Sequence, residues 1–271
     1  MGDIIKVLPF DKYIAPLEYS SDGRMAATHL ASVKWVDNIA GRFFVKVYPT
    51  CHPKGLINEI TGFLVAHAIG IPQPKKVGVI QIPKEVVDKN FKGDFHCIGE
   101  YYLGWASEDA GPTPNTFLNM KDLTSYQKCL ENLKQWKLFP RLLAFDDWVA
   151  NQDRNTGNLT VRGNNDFSII DHGNVPVSER WTEEQLIVER HYQNKLLDGL
   201  YERNYPLPLS ASLIESSKEH SRAFKEAKGE LTKWTNALLD ESCSSHLHNF
   251  LEARANLSVS RMKNKTGLLV A

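Results

Sequence analysis

Two acids and an amide, set on either side of a short apolar hairpin, constrain this chain more than any other feature. Asp153-Arg154-Asn155-Thr156-Gly157-Asn158 is a polar loop. It runs into a β-prone stretch at Leu159 to Val161, a turn at Gly163-Asn164-Asn165, a second β-run at Phe167 to Ile170, and then Asp171-His172-Gly173. Apolar runs separated by a Gly/Asn turn read as a β-hairpin. A hairpin brings its two ends back together, so Asn158 and Asp171 are expected side by side. Hard oxygen donors of this kind suit Mg. Phosphoryl transfer asks a protein for metal ligands, a cation on the phosphates and a group facing the acceptor hydroxyl. Asp171, at a strand end beside a glycine, is the first candidate metal ligand and Asn158 the second. Asp153 is the candidate group for the acceptor. An Asp-x-x-x-x-Asn loop alone is ordinary turn chemistry. The specific signal is the whole order: helix, polar loop, strand, turn, and strand ending in Asp-x-Gly.

The remainder of the chain supplies a setting for that motif. Thr28 to Val36 and Arg42 to Tyr48 flank a turn at Asp37 to Gly41 and read as a hairpin. After Pro53, the residues Ile57, Ile60, Leu64 and Ala68 fall on one helical face, and Gly70 is placed to end the helix. Strands follow at Val77 to Ile82 and Phe95 to Tyr102, separated by a polar link from Pro83 to Asp94. Gly104, Gly111, Pro112 and Pro114 mark a loop able to join two lobes. Beyond it a helix capped by Thr124 reaches about Lys137, and another spans Arg141 to Ala150 with Pro140 in its first turn. From Thr182 to about Ala255 the pattern is mostly helical, and Asn256 to Ala271 reads as a loosely held tail. The expected fold is α+β and bilobal, like a protein kinase. A β-rich N-lobe spans residues 1–103 and a mainly helical C-lobe residues 104–271.

Lys46 stands inside the apolar run Phe43-Phe44-Val45-Lys46-Val47, where a charge is costly unless it is paired or faces a cleft. Glu59, on the following helix, can pair with it and leave Lys46 to meet nucleotide phosphates. The alternative is a lysine on a wet strand face and a surface glutamate. Ser20, Ser21 and Gly23 stand where a phosphate-covering loop belongs, although a plain turn fits equally. Glu100, Tyr101 and Tyr102, at the end of the β-rich part, offer backbone to an adenine edge or else form an ordinary strand with core aromatics. No Walker-type loop occurs, which disfavours a P-loop NTPase. His246 and His248 lack partners at metal-ligand spacing and read as a helix-surface pair. Trp136, Trp148, Trp181 and Trp234 read as helix packing. His172 reads as an aromatic beneath the metal site, and Arg154 as a partner for Asp146 or Asp147.

Composition excludes little but agrees. Lys plus Arg and Asp plus Glu balance at 32 each, which gives no reason to expect nucleic-acid coating or membrane-surface binding. The four cysteines, Cys51, Cys97, Cys129 and Cys243, form no Cys-x-x-Cys pair and fit a reducing cytoplasm. No apolar run approaches the roughly 20 residues of a membrane span, and Met1 to Phe10 does not read as a signal peptide.

The stretch Phe145 to Leu159, with Ile169-Ile170-Asp171-His172-Gly173, resembles the HipA-like kinases and their relatives of phosphatidylinositol 3/4-kinase-like fold. Lys46 and Asn58-Glu59 also look like that group's strand lysine and Asn-Glu helix. The resemblance covers about Ser20 to Leu239. It implies a kinase dependent on ATP and Mg, with Asp153 as catalytic acid/base, Asn158 and Asp171 on Mg, and Lys46 on phosphate. It further implies a Ser/Thr protein substrate, an antitoxin-like DNA-binding partner for some members, and an autophosphorylated serine for which Ser20 or Ser21 qualifies. Asn155 stands where lipid kinases usually carry His. The chain is shorter than full-length toxin members. A small-molecule or lipid kinase, and a nucleotide-binding pseudokinase, are the competing expectations.

Overall fold

The computed structural model describes residues 3–19 and 25–268. Its first part is a seven-stranded sheet with one long helix. The strands are β1 (Lys6–Leu8), β2 (Tyr13–Tyr19), β3 (Ala27–Lys34), β4 (Ala40–Val47), β5 (Val77–Pro83), β6 (Cys97–Ile98) and β7 (Tyr101–Glu108). Their order is β1-β5-β7-β4-β3-β2, with β6 paired to the outer end of β7. β1 runs parallel to β5, and the other pairs are antiparallel. The β3–β4 hairpin turns as expected. Asn38 takes a positive φ of 64°, and Asp37 Oδ1 accepts from the Ile39 amide at 2.9 Å.

Helix α1 (Gly55–Ala68) connects β4 to β5, and Gly70 follows it at φ 70°. Residues 57–66 of α1 are all buried, because the helix is covered by the sheet on one side and by α8 (His220–Leu238) on the other. The apolar residues therefore extend beyond a single stripe.

Several sequence expectations are corrected here. The polar link after Pro83 contains α2 (Lys84–Asn90), anchored by buried Val87. The strand expected at Phe95 to Tyr102 is two strands broken at Gly99, φ 61°, and β7 continues through the supposed linker to Glu108. Gly104 is not a loop residue. A Cβ there would stand 2.8 Å from the Lys46 carbonyl oxygen and 2.7 Å from the Ile82 side chain, so its bareness permits close strand contact.

Further corrections concern the helical part. After α3 (Pro114–Asn119), α4 (Leu123–Gln135), α5 (Phe139–Trp148) and the hairpin β8 (Leu159–Gly163) with β9 (Asp166–Ile169) come α6 (Lys195–Tyr201), α7 (Leu207–Ser217), α8 and α9 (Glu241–Thr266). Asp122, not Thr124, caps α4 by accepting from the Ser125 amide. The expected loose tail is the second half of α9, which ends at Gly267 in the left-handed region. Its inward face is cationic, which hides it from any search for apolar periodicity. Arg254 is fully buried and donates to the carbonyl oxygens of Trp148, Asp147, Val188 and Arg190. Arg261 and Lys265 reach Asp147 at 3.3 and 3.0 Å. Burial pushes the Asp147 carboxyl up, but these three cations outweigh it and hold the group below its usual range.

One core cluster joins α1, the inner face of the sheet, the β8–β9 hairpin and the C-terminal helices; a smaller one fills the outer face of the sheet. This is a bilobal α+β fold with its larger core running between the parts. No helix among the described residues is long and apolar enough to cross a membrane.

Ending the chain after Ala255 removes Arg261 and Lys265 from buried Asp147. A loss of about 3 kcal/mol or more is expected, read as a lower urea midpoint. His220, stacked on Trp148 and bonded to Ser258 Oγ at 2.8 Å, has its pKa lowered by burial to about 3. It is neutral when folded and gains a proton on unfolding in acid. Its stabilising contribution is therefore complete above the ordinary histidine value of 6.5 and is lost as pH falls toward about 3. His220→Gln should flatten the dependence of the urea midpoint on pH below about 6.5; an unchanged slope would refute this.

Candidate active site

The site begins with Glu59, which is buried on α1. Its Oε1 accepts from Lys46 Nζ at 2.6 Å and from the Tyr48 hydroxyl at 2.9 Å. Its Oε2 accepts from the His172 backbone amide at 2.8 Å. Lys46 Nζ also lies 2.9 Å from Asp171 Oδ1. The lysine is on β4 opposite Trp105, on the inner sheet face, and its side chain is only 16% exposed. A wet strand face is thereby excluded. Burial opposes its charge, but Asp171 and Glu59 outweigh burial and raise its pKa. For Asp171 burial acts upward, and Lys46 overcomes it to hold the carboxyl below its usual value. Burial first, then Glu59, raise the Tyr48 pKa well above normal, so Tyr48 remains a donor.

The acidic loop is braced from below. Arg154 is fully buried, and its Nε lies 3.2 Å from both oxygens of buried Asp146 on α5. Its Nη1 donates to the carbonyls of Asn158 at 3.3 Å and Ile170 at 2.8 Å. One guanidinium thus ties the start of the hairpin to its end. The Ile170 amide donates to the Asn158 carbonyl at 3.0 Å, which sets Asn158 next to the residue before Asp171. Burial pushes the Asp146 carboxyl up, and Arg154 and Asn151 draw it back only to about 6. The pairing expected for Arg154 is realised with Asp146; Asp147 serves the α9 cations instead.

Asn158 uses its backbone carbonyl in these contacts and leaves its side-chain amide unengaged by the described residues. Asp171 has a positive φ of 62°, and its Oδ1 takes Lys46 and a long bond from the Gly173 amide. An amide oxygen and a carboxylate oxygen at adjacent hairpin ends are a donor set that fits Mg. The Asp153 side chain is 39% exposed, much as that of Asp171 is at 37%, whereas Asn158 is buried. Its Oδ1 lies 3.0 Å from Lys195 Nζ, and its Oδ2 accepts from Asn174 at 3.3 Å. Beside the loop is a cleft of about 240 Å³ bounded by Tyr126, Leu130, Thr156, Lys195, Leu196 and Leu200 among others.

Not every expected residue joins this cluster. Ser20, Ser21 and Gly23 lie outside the described residues. Glu100 is exposed in the turn between β6 and β7. Tyr101 pairs with Pro83 and Ile98. Tyr102 is buried on the outer sheet face, opposite to Lys46, and donates to Asp88 at 2.7 Å. None of these three bonds to the Lys46 cluster. The chain crosses from β7 to the helical part farther on, where the Pro112 carbonyl accepts from Val161 of β8 at 2.8 Å.

Further residues surround this cluster, and of these Tyr48, Asn174 and Lys195 carry little signal in the sequence. Tyr48 is two residues past Lys46, yet its ring occupies the space a Cβ on Gly55 would need, 2.0 Å away. Asn58 is buried, donates to the Gly173 and Ser178 carbonyls, and accepts from Trp181 at 2.9 Å. Asn174 and Lys195 meet Asp153 from later segments. His172 is buried and held neutral; its Nε2 meets Gln73 at 2.9 Å, a structural contact as expected.

Gly62 marks where α1 crosses the Asp171 loop. A Cβ there would stand 2.4 Å from His172 Cβ. Gly62→Ala is expected to cost about 1–3 kcal/mol through overpacking, measured by urea unfolding. Unaltered stability would show that the loop can retreat from α1.

A comparison with curated proteins found no match. A family model described as HipA-like kinase matches residues 38–203, more than half of the chain and a span that includes Lys46, Glu59, Asp153, Asn158 and Asp171; the chain belongs to the HipA-like kinases.

Proposed function

We propose that this kinase uses ATP and Mg and transfers the γ-phosphoryl group to a Ser or Thr hydroxyl of a protein. The observation that carries this reading is the continuous set from Glu59 through Lys46 to Asp171, with Asn158 and Asp153 on the adjoining loop. In this reading Lys46, oriented by Glu59, meets the phosphates, and Asp171 with Asn158 holds Mg. The metal, when bound, supplies charge neutralisation on phosphate oxygens. Asp153 orients the acceptor hydroxyl and takes its proton. Their partners support this division: Asp171 is held by Lys46, whereas Asp153 faces Lys195 and Asn174. The lobes divide the work: β4 and α1 provide the phosphate cation, and the loop and hairpin provide the acids.

Protein as acceptor, an antitoxin-like partner and a cytoplasmic setting follow the family resemblance. The described cysteines are all free, which supports a reducing compartment.

With labelled ATP and Mg, the wild type should label itself or a protein in a cell lysate. Asp153→Ala should lower kcat by about 10²–10⁴, as expected for loss of a general base. Lys46→Met and Asp171→Ala should each lower it by about 10² or more. Chelating the metal should stop turnover. Label appearing only in small metabolites would overturn the protein-acceptor assignment, and absence of transfer in every fraction would overturn the mechanism.

A further inference from the structure

Asp153 is tethered at both oxygens, by Asn174 on Oδ2 and by Lys195 on Oδ1. Lys195 comes from α6, forty-two residues downstream of Asp153, outside any local motif. Its placement is nevertheless firm. Asn194, just before it, is buried, donates to the Leu143 carbonyl of α5 at 2.9 Å and caps α6 by accepting from the Leu197 amide at 3.1 Å. Leu196 and Leu197 are buried immediately after it. The backbone of Lys195 is thus fixed against the helix from which the Asp153 loop emerges.

Stability gives little reason for a lysine at this position. Its side chain is 52% exposed and that of Asp153 is 39% exposed, so the pair is worth about 0–1 kcal/mol. A cation in the first turn of a helix also opposes the helix dipole. Lys46, meanwhile, is enclosed by Glu59 and Asp171. The acceptor side of the site therefore has a cation of its own, with donor capacity left beyond its bond to Asp153.

We propose that Lys195 is a catalytic residue of the phosphoryl transfer, one that holds Asp153 toward the acceptor and places an ammonium on the moving phosphoryl oxygens. This inference rests on the assignment of Asp153 to the acceptor hydroxyl. The acceptor oxygen bonds to the γ-phosphorus while the bond from that phosphorus to the β–γ bridging oxygen breaks. The bonding electron pair leaves with ADP, and the acceptor proton passes to Asp153. Lys195 keeps its proton and stabilises charge on the equatorial oxygens as they pass.

The test is steady-state ADP production and self-labelling by the full chain with labelled ATP and Mg, for wild type, Lys195→Ala, Lys195→Arg, Asp153→Ala and the Ala/Ala double variant. Lys195→Ala is expected to lower kcat by about 100-fold with KM for ATP within about three-fold. Arginine should recover activity to within about ten-fold of wild type, and the double variant should be no slower than Asp153→Ala alone. Lys195→Ala with near wild-type kcat overturns the inference and leaves the kinase assignment intact. A rise in KM for ATP without a fall in kcat also overturns it, since the amine would then act only in nucleotide binding. An inactive wild type overturns the assignment of Asp153 and this inference with it. A lower urea midpoint accompanying equal losses in the Ala and Arg variants would show a purely structural lysine.

Discussion

Both parts of the molecule meet on one buried carboxylate. Glu59 accepts from Lys46 of the sheet and Tyr48 just after it through one oxygen and from the His172 amide of the helical part through the other. An ionised carboxylate out of water is tolerable only when such donors satisfy it. Removing one partner of a buried pair costs about 3–5 kcal/mol, because the other charge is left behind. Glu59 therefore fixes the distance between β4, α1 and the Asp171 loop with far more authority than an exposed pair could. Tyr48 and Gly55 belong to the same constraint: the ring fits only where the first residue of α1 has no side chain.

A second buried pair does for the acidic loop what Glu59 does for the lobes. Arg154 and Asp146 are wholly enclosed, and Nη1 of the guanidinium donates to the Asn158 and Ile170 carbonyls. The loop between α5 and β8 thus has little need of an apolar side chain of its own. This explains how a run of turn-forming residues can hold a fixed shape. The left-handed backbone of Asp171 is sustained in the same way, by Lys46 on its side chain and by Arg154 on the carbonyl before it.

What could be read from the sequence follows this division. The hairpin, the strand lysine and the helix glutamate are legible because local pattern and chemistry coincide: an apolar run flanks each polar residue. Nearness in sequence narrows the partner of Arg154 to Asp146 or Asp147, and only the fold selects Asp146. The second half of α9 was not, because it meets the core with Arg254, Arg261 and Lys265, and hydrophobic periodicity cannot register a buried guanidinium. β7 was cut short at Gly104, where a glycine that permits close packing looks the same as a glycine that ends a strand. Lys195 and Asn174 give no signal of their own because their partner Asp153 is distant in sequence, although Asn174 directly follows Asp171-His172-Gly173.

The exposure of the polar groups also explains why the reaction is easier to read than the acceptor. Glu59, Arg154 and Asp146 are sealed, Lys46 is nearly so, and their identities are dictated by one another's charges. Such a set tolerates few alternatives and leaves a mark in the sequence. Asp153 and Lys195 stand at the surface, beside a cleft lined by Leu130, Leu196 and Leu200 together with Asn155 and Thr156. Side chains in that position can change without disturbing either core. Phosphoryl transfer is therefore written in the buried ion pairs, and in the proposed reading the choice of acceptor falls to the surface that surrounds Asp153.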